Sequence, residues 1–239
     1  MTCKYSIIIG LRNTHQYLDV CIGSVLLHTD KEATPYELIV VDGSTRDGLA
    51  ISTKTIYHNL FSYIDNTKEL GVERNYGIQQ NKGAKIAKGD FIIFLNEDTA
   101  VHPDWLLKLE SDYNFLSSKN KIGLLGASSD NIQSGQKRGP NQNVIIHTNF
   151  VITTCAMIKR ETFEQVGGYD EQMLCWNYHD NELSYRLHKS GFSNFVSTSY
   201  ISHFGSRATK KNNIDATKDV EIGSNYFIQK HKVNPLTFC

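Results

Sequence analysis

Apolar positions in the first half of the chain follow two alternating periods. Residues 5–9 form a short run rich in β-branched side chains, with Ile7, Ile8 and Ile9, and predict a buried strand. Over 14–28, Leu18, Cys21, Ile22, Val25 and Leu26 recur at helical spacing, which predicts a helix with one buried face. A second strand is predicted over 37–41, running into Asp42-Gly43-Ser44. A weaker helical stretch follows through Ile56 and Leu60, then a third strand over 61–65. Residues 75–88 predict a helix that Gly77 and Gly83 weaken, and 90–95 is the clearest strand of the chain. Pro103 is expected as the first residue of the next helix, with Leu106, Leu109, Tyr113 and Leu116 on its apolar side.

The second half reads differently. Residues 128–143 are polar, rich in Gly, Asn and Ser, and predict a loop that contains Lys137-Arg138-Gly139-Pro140. A strand is predicted over 150–158, a turn at Gly167-Gly168, and a helix over 180–189 that Gly191 ends. Another strand is expected over 195–201 and a closing helix over 216–232. Repeated strand–helix–strand units predict an α/β fold with a mostly parallel central sheet, right-handed crossovers and helices on both faces. Ligands of such sheets bind beyond the carboxyl ends of the strands, which singles out residues 10–13, 42–44 and 96–99.

Composition narrows the class of partner. At 239 residues the chain can bury a core, and 40% hydrophobic with 21% charged residues is ordinary for a globular protein. Lys plus Arg equals Asp plus Glu, so no excess positive charge draws the chain to a nucleic-acid backbone, and no nucleic-acid partner is expected. The five cysteines form no C-x-x-C pair, which argues against a zinc site. Their odd number, without framework spacing, reads as free thiols in a reducing compartment. No apolar run reaches the roughly 20 residues of a membrane span, and no basic segment followed by a long apolar stretch opens the chain. A cytoplasmic protein is expected, compatible with peripheral contact with a membrane.

Five constellations are candidates for chemistry. Asn96-Glu97-Asp98 follows the strongest strand, where a carboxylate can hold Mg²⁺ or Mn²⁺ against phosphate oxygens. Taken alone, a plain polar turn explains it more simply, since polar turns are common after strands. Asp42 can accept hydrogen bonds from a base or ribose, or can be the turn residue of Asp-Gly-Ser. The run 71–89 is rich in small residues that let a backbone approach a ligand, or is a helix of poor propensity. His179-Asp180, with Glu182 and Arg186, offers a carboxylate for taking a proton, or an N-cap with a surface ion pair. His203 offers an imidazole ligand, or is a hydrogen-bonded loop residue. The chain lacks G-x-G-x-x-G after its first strand, G-x-x-x-x-G-K-[ST] and G-x-S-x-G. Their absence disfavours dinucleotide oxidoreductases, P-loop NTPases and α/β-hydrolases.

In order and spacing, the motifs resemble those of family-2 glycosyltransferases, which have the GT-A fold. The resemblance runs from Tyr5 to about Arg207. It is carried by Asp42-Gly43-Ser44 after its strand, by Asn81-Lys82-Gly83 through Gly89 to Asn96-Glu97-Asp98, by Val166-Gly167-Gly168-Tyr169-Asp170-Glu171, and by Asp180 to Arg186 with Gly191-Phe192. A branch containing many rhamnosyltransferases is especially similar. The resemblance implies one domain over 1–239, with a nucleotide-sugar-binding half to about 126 and a smaller acceptor-binding half from about 127 that includes the closing helix. It implies that Asp98 ligates a Mn²⁺ or Mg²⁺ ion, that His203 completes the metal and diphosphate site, and that Asp180 is the general base. Asp42 would lie near the nucleoside and Asn81 with Gly83 beside the donor, which Gly10, Arg12, Asn96 and Glu97 would also line. Trp176 and Tyr178, between the Gly-Gly turn and the expected base, offer aromatic faces to an acceptor sugar, or pack in the core.

The chain departs from the family pattern at three places. Asn96 stands where an Asp is usual. Gly10-Leu11-Arg12-Asn13 replaces Pro-Thr-Tyr-Asn, so that Arg12 substitutes in part for the Tyr. His179 stands where Glu is usual. The expected reaction moves a hexosyl or deoxyhexosyl group from a nucleotide-diphosphate sugar to a hydroxyl of a glycan, lipid-linked sugar or glycoprotein. One base and one direct displacement give inversion. Two alternatives stay open: a nucleotidyltransferase that makes a sugar nucleotide, and a nucleotide-sugar-binding module without turnover.

Overall fold

The computed structural model describes residues 3–44, 60–66, 75–132, 134–205 and 207–238. The helical stretch expected at Ile56, residues 71–74 of the glycine-containing run, and Cys239 lie outside them. The strands among the described residues are β1 (Tyr5–Leu11), β2 (Tyr36–Asp42), β3 (Ser62–Asp65), β4 (Phe91–Asn96), β5 (Thr99–Val101), β6 (Ile122–Ser128), β7 (Ile146–Thr148), β8 (Cys155–Lys159) and β9 (Ser193–His203). The helices are α1 (His15–His28), α2 (Tyr76–Ile86), α3 (Trp105–Ser117), α4 (Arg160–Gln165), α5 (His179–Lys189), α6 (Arg207–Lys211), α7 (Ala216–His231) and α8 (Pro235–Phe238).

One sheet in the order β3-β2-β1-β4-β8-β6-β9-β5 joins both halves of the chain, with β7 beside β9. β3, β2, β1 and β4 are mutually parallel, and β6 is parallel to β9. β8 runs antiparallel between β4 and β6, and β5 and β7 run antiparallel to β9. The sheet is therefore mostly parallel but mixed. Both faces are covered, which is why the central strands read as continuous apolar runs. Ile7, Ile9 and Leu11 pack with α1 and α3 in one core layer, while Ile8 packs with Ile92, Phe94, Phe163 and Leu183 in the other.

The structure corrects several sequence expectations. Leu26 is exposed, whereas His15 joins the buried face of α1. Pro103 does not begin α3. Asp104 adopts a left-handed backbone (φ 63°) and the helix starts at Trp105. The strand expected over 150–158 begins only at Cys155, because residues 151 and 152 give their N–H groups to side chains: Val151 to Ser184 Oγ and Ile152 to Gln136 Oε1. β6 was not expected, since Gly123 and Gly126 lower its strand propensity. Gly126 is required there because Gln136 Nε2 would lie 2.7 Å from an added Cβ.

The small residue at Gly83 also has a packing cause. A Cβ there would meet Ile8 Cγ2 well inside van der Waals contact and Val41 Cγ2 at 3.3 Å, so the glycine lets α2 settle onto β1 and β2. Gly83→Ala gains about 1 kcal/mol of helix propensity but overpacks the core by about 1–3 kcal/mol. A melting temperature lowered by a few degrees is expected by calorimetry; an unchanged or raised one would remove this packing argument.

Candidate active site

The carboxyl ends of β1, β2 and β4 form the floor of the site. Gly10 pairs with Val41 on one side and Asn96 on the other. Beyond β1 the chain turns at Asn13, whose left-handed backbone (φ 59°) an Asn tolerates, and whose N–H donates to Ser44 Oγ at 2.8 Å. Asp42, at the end of β2, is fully buried. Its carboxylate accepts from His15 Nε2 at 3.2 Å, Tyr63 Oη at 2.7 Å and the Ser44 N–H at 2.9 Å. Burial acts to raise its pKa, but the hydrogen bonds from His15, Ser44 and Tyr63 outweigh it and hold the carboxyl below its usual value.

The turn after β4 gathers two acidic side chains. Thr14 precedes α1 without capping it; its hydroxyl instead donates to Glu97 Oε1 at 2.5 Å. Burial, then the neighbouring Asp98 charge, push the Glu97 carboxyl up to about 8. Asp98 is buried, and its Oδ2 accepts the Arg207 N–H at 3.0 Å. Antiparallel pairing of β5 with β9, with Thr99 opposite His203, brings His203 Nε2 to 3.2 Å from Asp98 Oδ1. Burial opposes the charged forms of both groups, but their mutual contact wins, holding Asp98 below and His203 above its ordinary pKa.

His203 Nδ1 lies 2.9 Å from the Asn131 carbonyl, so this nitrogen carries a proton and donates. In the neutral ring the Nε2 lone pair then faces Asp98, the arrangement of a metal-ligating imidazole oriented by a backbone carbonyl. No group of three or more His, Cys, Asp or Glu side chains among the described residues forms a metal cage. One carboxylate oxygen and one imidazole nitrogen suit a cation that takes its remaining ligands from phosphate oxygens and water. The residues present fit such an ion.

The second carboxylate cluster stands at the start of α5, where Tyr178 adopts a left-handed backbone (φ 83°). Asp180 is half-buried and accepts a short hydrogen bond from the Thr153 hydroxyl. Burial pushes its carboxyl up to about 6, although the Thr153 hydrogen bonds pull it down. His179 is buried, with Nε2 donating to the Cys175 carbonyl at 2.9 Å and Nδ1 lacking a hydrogen-bond partner; burial lowers its pKa. Glu182 has a different role. It is buried and accepts from Arg186 Nε at 2.8 Å, Lys230 at 2.7 Å and His231 at 3.1 Å, which ties α5 to α7.

Aromatic residues connect Arg12 to the start of α5. The Arg12 guanidinium lies 5.1 Å from the centroid of the Trp176 ring, and Tyr76 meets the same ring edge-on at 6.0 Å. Trp176 and Tyr178 are half-buried. Asp219 of α7 accepts the backbone N–H groups of Trp176 and Asn177 and the Asn177 amide, which fixes this segment.

The structure thus brings Asp98 to His203 and Arg12 to Trp176. Asn96 is half-buried at the end of β4, with its backbone N–H on the Thr154 carbonyl. Asn81 and Gly83 face elsewhere. The Asn81 amide bonds both the N–H and the C=O of Tyr169 and reaches Glu171, and Gly83 contacts the core. Sequence reasoning missed Thr153, Arg207, His15 and Asp219 as residues of this region. Arg207 carried the one available signal, a cation four positions after His203. Its side chain lies over Tyr17, and its buried Nε has no hydrogen-bond partner.

Comparison with known proteins bears on the family and the fold. A family model described as glycosyl transferase family 2 matches residues 6–167, and one described as the N-terminal domain of galactosyltransferase matches 142–210. The protein CgeD of Bacillus subtilis is 26% identical over 197 residues, covering 74% of this chain and 44% of CgeD. The poly(ribitol-phosphate) beta-N-acetylglucosaminyltransferase TarP of Staphylococcus aureus is 31% identical over 124 residues, covering 52% of this chain and 36% of TarP. The chain therefore spans less than half the length of either relative. The crystal structure of GalNAc-T7 with UDP, GalNAc and Mn²⁺ superposes with a TM-score of 0.69 at 15% identity, covering 98% of this chain and 55% of that one. Among the described residues, no helix is long and apolar enough to cross a membrane.

Proposed function

The chain belongs to glycosyl transferase family 2 and has its GT-A fold, and from that premise we propose that it moves a sugar from a nucleotide-diphosphate donor to a hydroxyl acceptor, with inversion and with a divalent cation at the diphosphate. The observation that carries this reading is the approach of His203 Nε2 to Asp98 Oδ1, with the ring held by the Asn131 carbonyl. Asp98 and His203 would hold Mn²⁺ or Mg²⁺, which as a Lewis acid offsets the charge growing on the leaving diphosphate. The presence of Mn²⁺ with UDP in the GalNAc-T7 structure supports this choice. Arg207, whose backbone N–H holds Asp98 and whose buried Nε has no hydrogen-bond partner, would donate to a diphosphate oxygen.

Gly10, Arg12, Asp42, Asn96 and Glu97 line the donor side. Asn81 and Gly83 shape it indirectly, through the Tyr169 turn and the seat of α2. Asp180 takes the proton of the acceptor hydroxyl as that oxygen attacks the anomeric carbon from the face opposite the nucleotide. Trp176 and Tyr178 present ring faces to the acceptor. Residues to about 126 supply the donor half and the remainder the acceptor half, although His203 and Arg207 cross to the donor. The transferred group is a hexosyl or deoxyhexosyl unit, in keeping with the resemblance to the rhamnosyltransferase-containing branch. The acceptor is a glycan, a lipid-linked sugar or a glycoprotein. The free thiols Cys3, Cys21, Cys155 and Cys175 suit a reducing, cytoplasmic compartment, and that reading is compatible with peripheral membrane contact.

A thermal-shift panel of nucleotide sugars with and without Mn²⁺ tests this reading, because a ligand of the native state raises its melting point. At least one nucleotide sugar should stabilise the protein only with the cation, and should be slowly hydrolysed. Stabilisation without hydrolysis or transfer would indicate a binding module. Pyrophosphate release from a nucleoside triphosphate and a sugar phosphate would indicate a nucleotidyltransferase. No stabilisation by any nucleotide would overturn the proposal.

A further inference from the structure

Thr153 lies in the irregular segment before β8, which the Ser184 and Gln136 side chains hold in place. It is 1% exposed. A threonine hydroxyl has one proton and two lone pairs. The Thr153 proton goes to Asp180 Oδ1, the Tyr169 hydroxyl donates to Thr153 Oγ1 at 2.9 Å, and the Tyr76 hydroxyl lies 3.4 Å from the same oxygen. Tyr169 and Tyr76 lock each other edge-to-face at 5.6 Å. With Tyr169 donating into it, the Thr153 oxygen directs its own proton toward the carboxylate. The bond from Thr153 thus has a fixed direction set by a buried tyrosine.

We propose that Thr153, oriented by Tyr169, is a positioning residue that aims the Asp180 carboxylate at the acceptor hydroxyl and keeps it ionised. This rests on the reading of Asp180 as the general base. A Thr153 donor stabilises the carboxylate over the carboxylic acid, so its loss should make Asp180 harder to ionise. The tyrosines and the imidazole packed around Thr153 and Asp180 do not titrate in competition. Tyr76 of α2 and Tyr169 are both held neutral, with pKa values raised above the ordinary tyrosine value chiefly by burial. His179 of the same helix is held neutral by burial, which outweighs the Cys175 carbonyl's preference for the protonated ring. Asp180 and Glu97 each raise the Tyr76 pKa by their charge, and Arg12 stands beyond Tyr76 on the Trp176 ring.

The test compares Thr153→Val, Thr153→Ser and Tyr169→Phe by kcat against pH, acceptor KM, donor binding with Mn²⁺ and melting temperature. Thr153→Val should lower kcat about tenfold near neutral pH, as expected for one lost hydrogen bond to a charged group, and should move the acid limb of the profile upward. Thr153→Ser should restore both, and Tyr169→Phe should move the limb the same way by less. Donor binding should be unchanged in all three. An acid limb that stays in place in Thr153→Val, or in Tyr169→Phe should the valine variant fail to fold, would overturn the proposal if Asp180→Asn is inactive. If Asp180→Asn keeps its turnover, the base assignment itself fails, and this inference with it.

Discussion

Asp180→Asn should bind donor and cation nearly as the wild type does, yet lose about 10²–10⁴-fold in turnover, the usual worth of a positioned base. Asparagine keeps the shape of the side chain and removes its basicity. The start of α5 favours negative charge through the helix dipole, and from sequence alone that predicts an ordinary ionised carboxylate. In the structure burial dominates instead, and the carboxyl is pushed up to about 6. This strengthens the assignment, because a base acts best when its pKa lies near the working pH. The sign of the pH dependence follows. The active form is the carboxylate, so wild-type turnover should be about half its full value near pH 6, rise above that pH and fall below it. Near-normal turnover in Asp180→Asn would end the assignment. So would a product whose new glycosidic bond keeps the donor's anomeric configuration when read by NMR, since one base and one displacement must invert.

Asp98→Ala should abolish the Mn²⁺-dependent part of nucleotide binding and cost turnover on the order of 10³-fold, given several kcal/mol of Lewis-acid stabilisation. The variant also removes the acceptor of the Arg207 N–H and frees His203 from its contact, so folding must be checked by circular dichroism. Titration calorimetry with nucleotide and Mn²⁺ decides the matter: unchanged affinity in a folded Asp98→Ala protein would exclude Asp98 as a ligand. His203→Ala should weaken the same metal-dependent binding to a smaller degree, because it leaves the carboxylate in place.

Several elements could be read from the chain because they depend on near neighbours. The runs at 5–9, 37–41 and 90–95 became β1, β2 and β4, and the helical spacing of Leu18, Cys21, Ile22 and Val25 became the buried face of α1. Gly191, with its left-handed backbone (φ 83°), ends α5 as its type predicts. Turn and strand chemistry also placed the Asn96-Glu97-Asp98 group at a strand's carboxyl end. These are consequences of a side-chain period or of one residue's backbone preference.

Other features depended on register and long-range contact. The β5–β9 pairing set His203 opposite Thr99 and hence against Asp98, and no local pattern encodes that partner. β6 was hidden because its glycines serve close neighbours, Asn194 and Gln136, that are distant in sequence. Asn81 was expected beside the donor, and only the fold shows its amide bonded to the Tyr169 backbone. Thr153 sat inside an apolar run that predicted a strand, and its hydroxyl gained a role only when packing delivered it to Asp180. By itself the sequence determined the strand and helix types and the places where chemistry could sit, because backbone preference and apolar periodicity act over a few residues. Which groups meet, and what burial does to their charge, only the tertiary structure decided, because hydrogen bonds and desolvation act between segments that the sheet brings together.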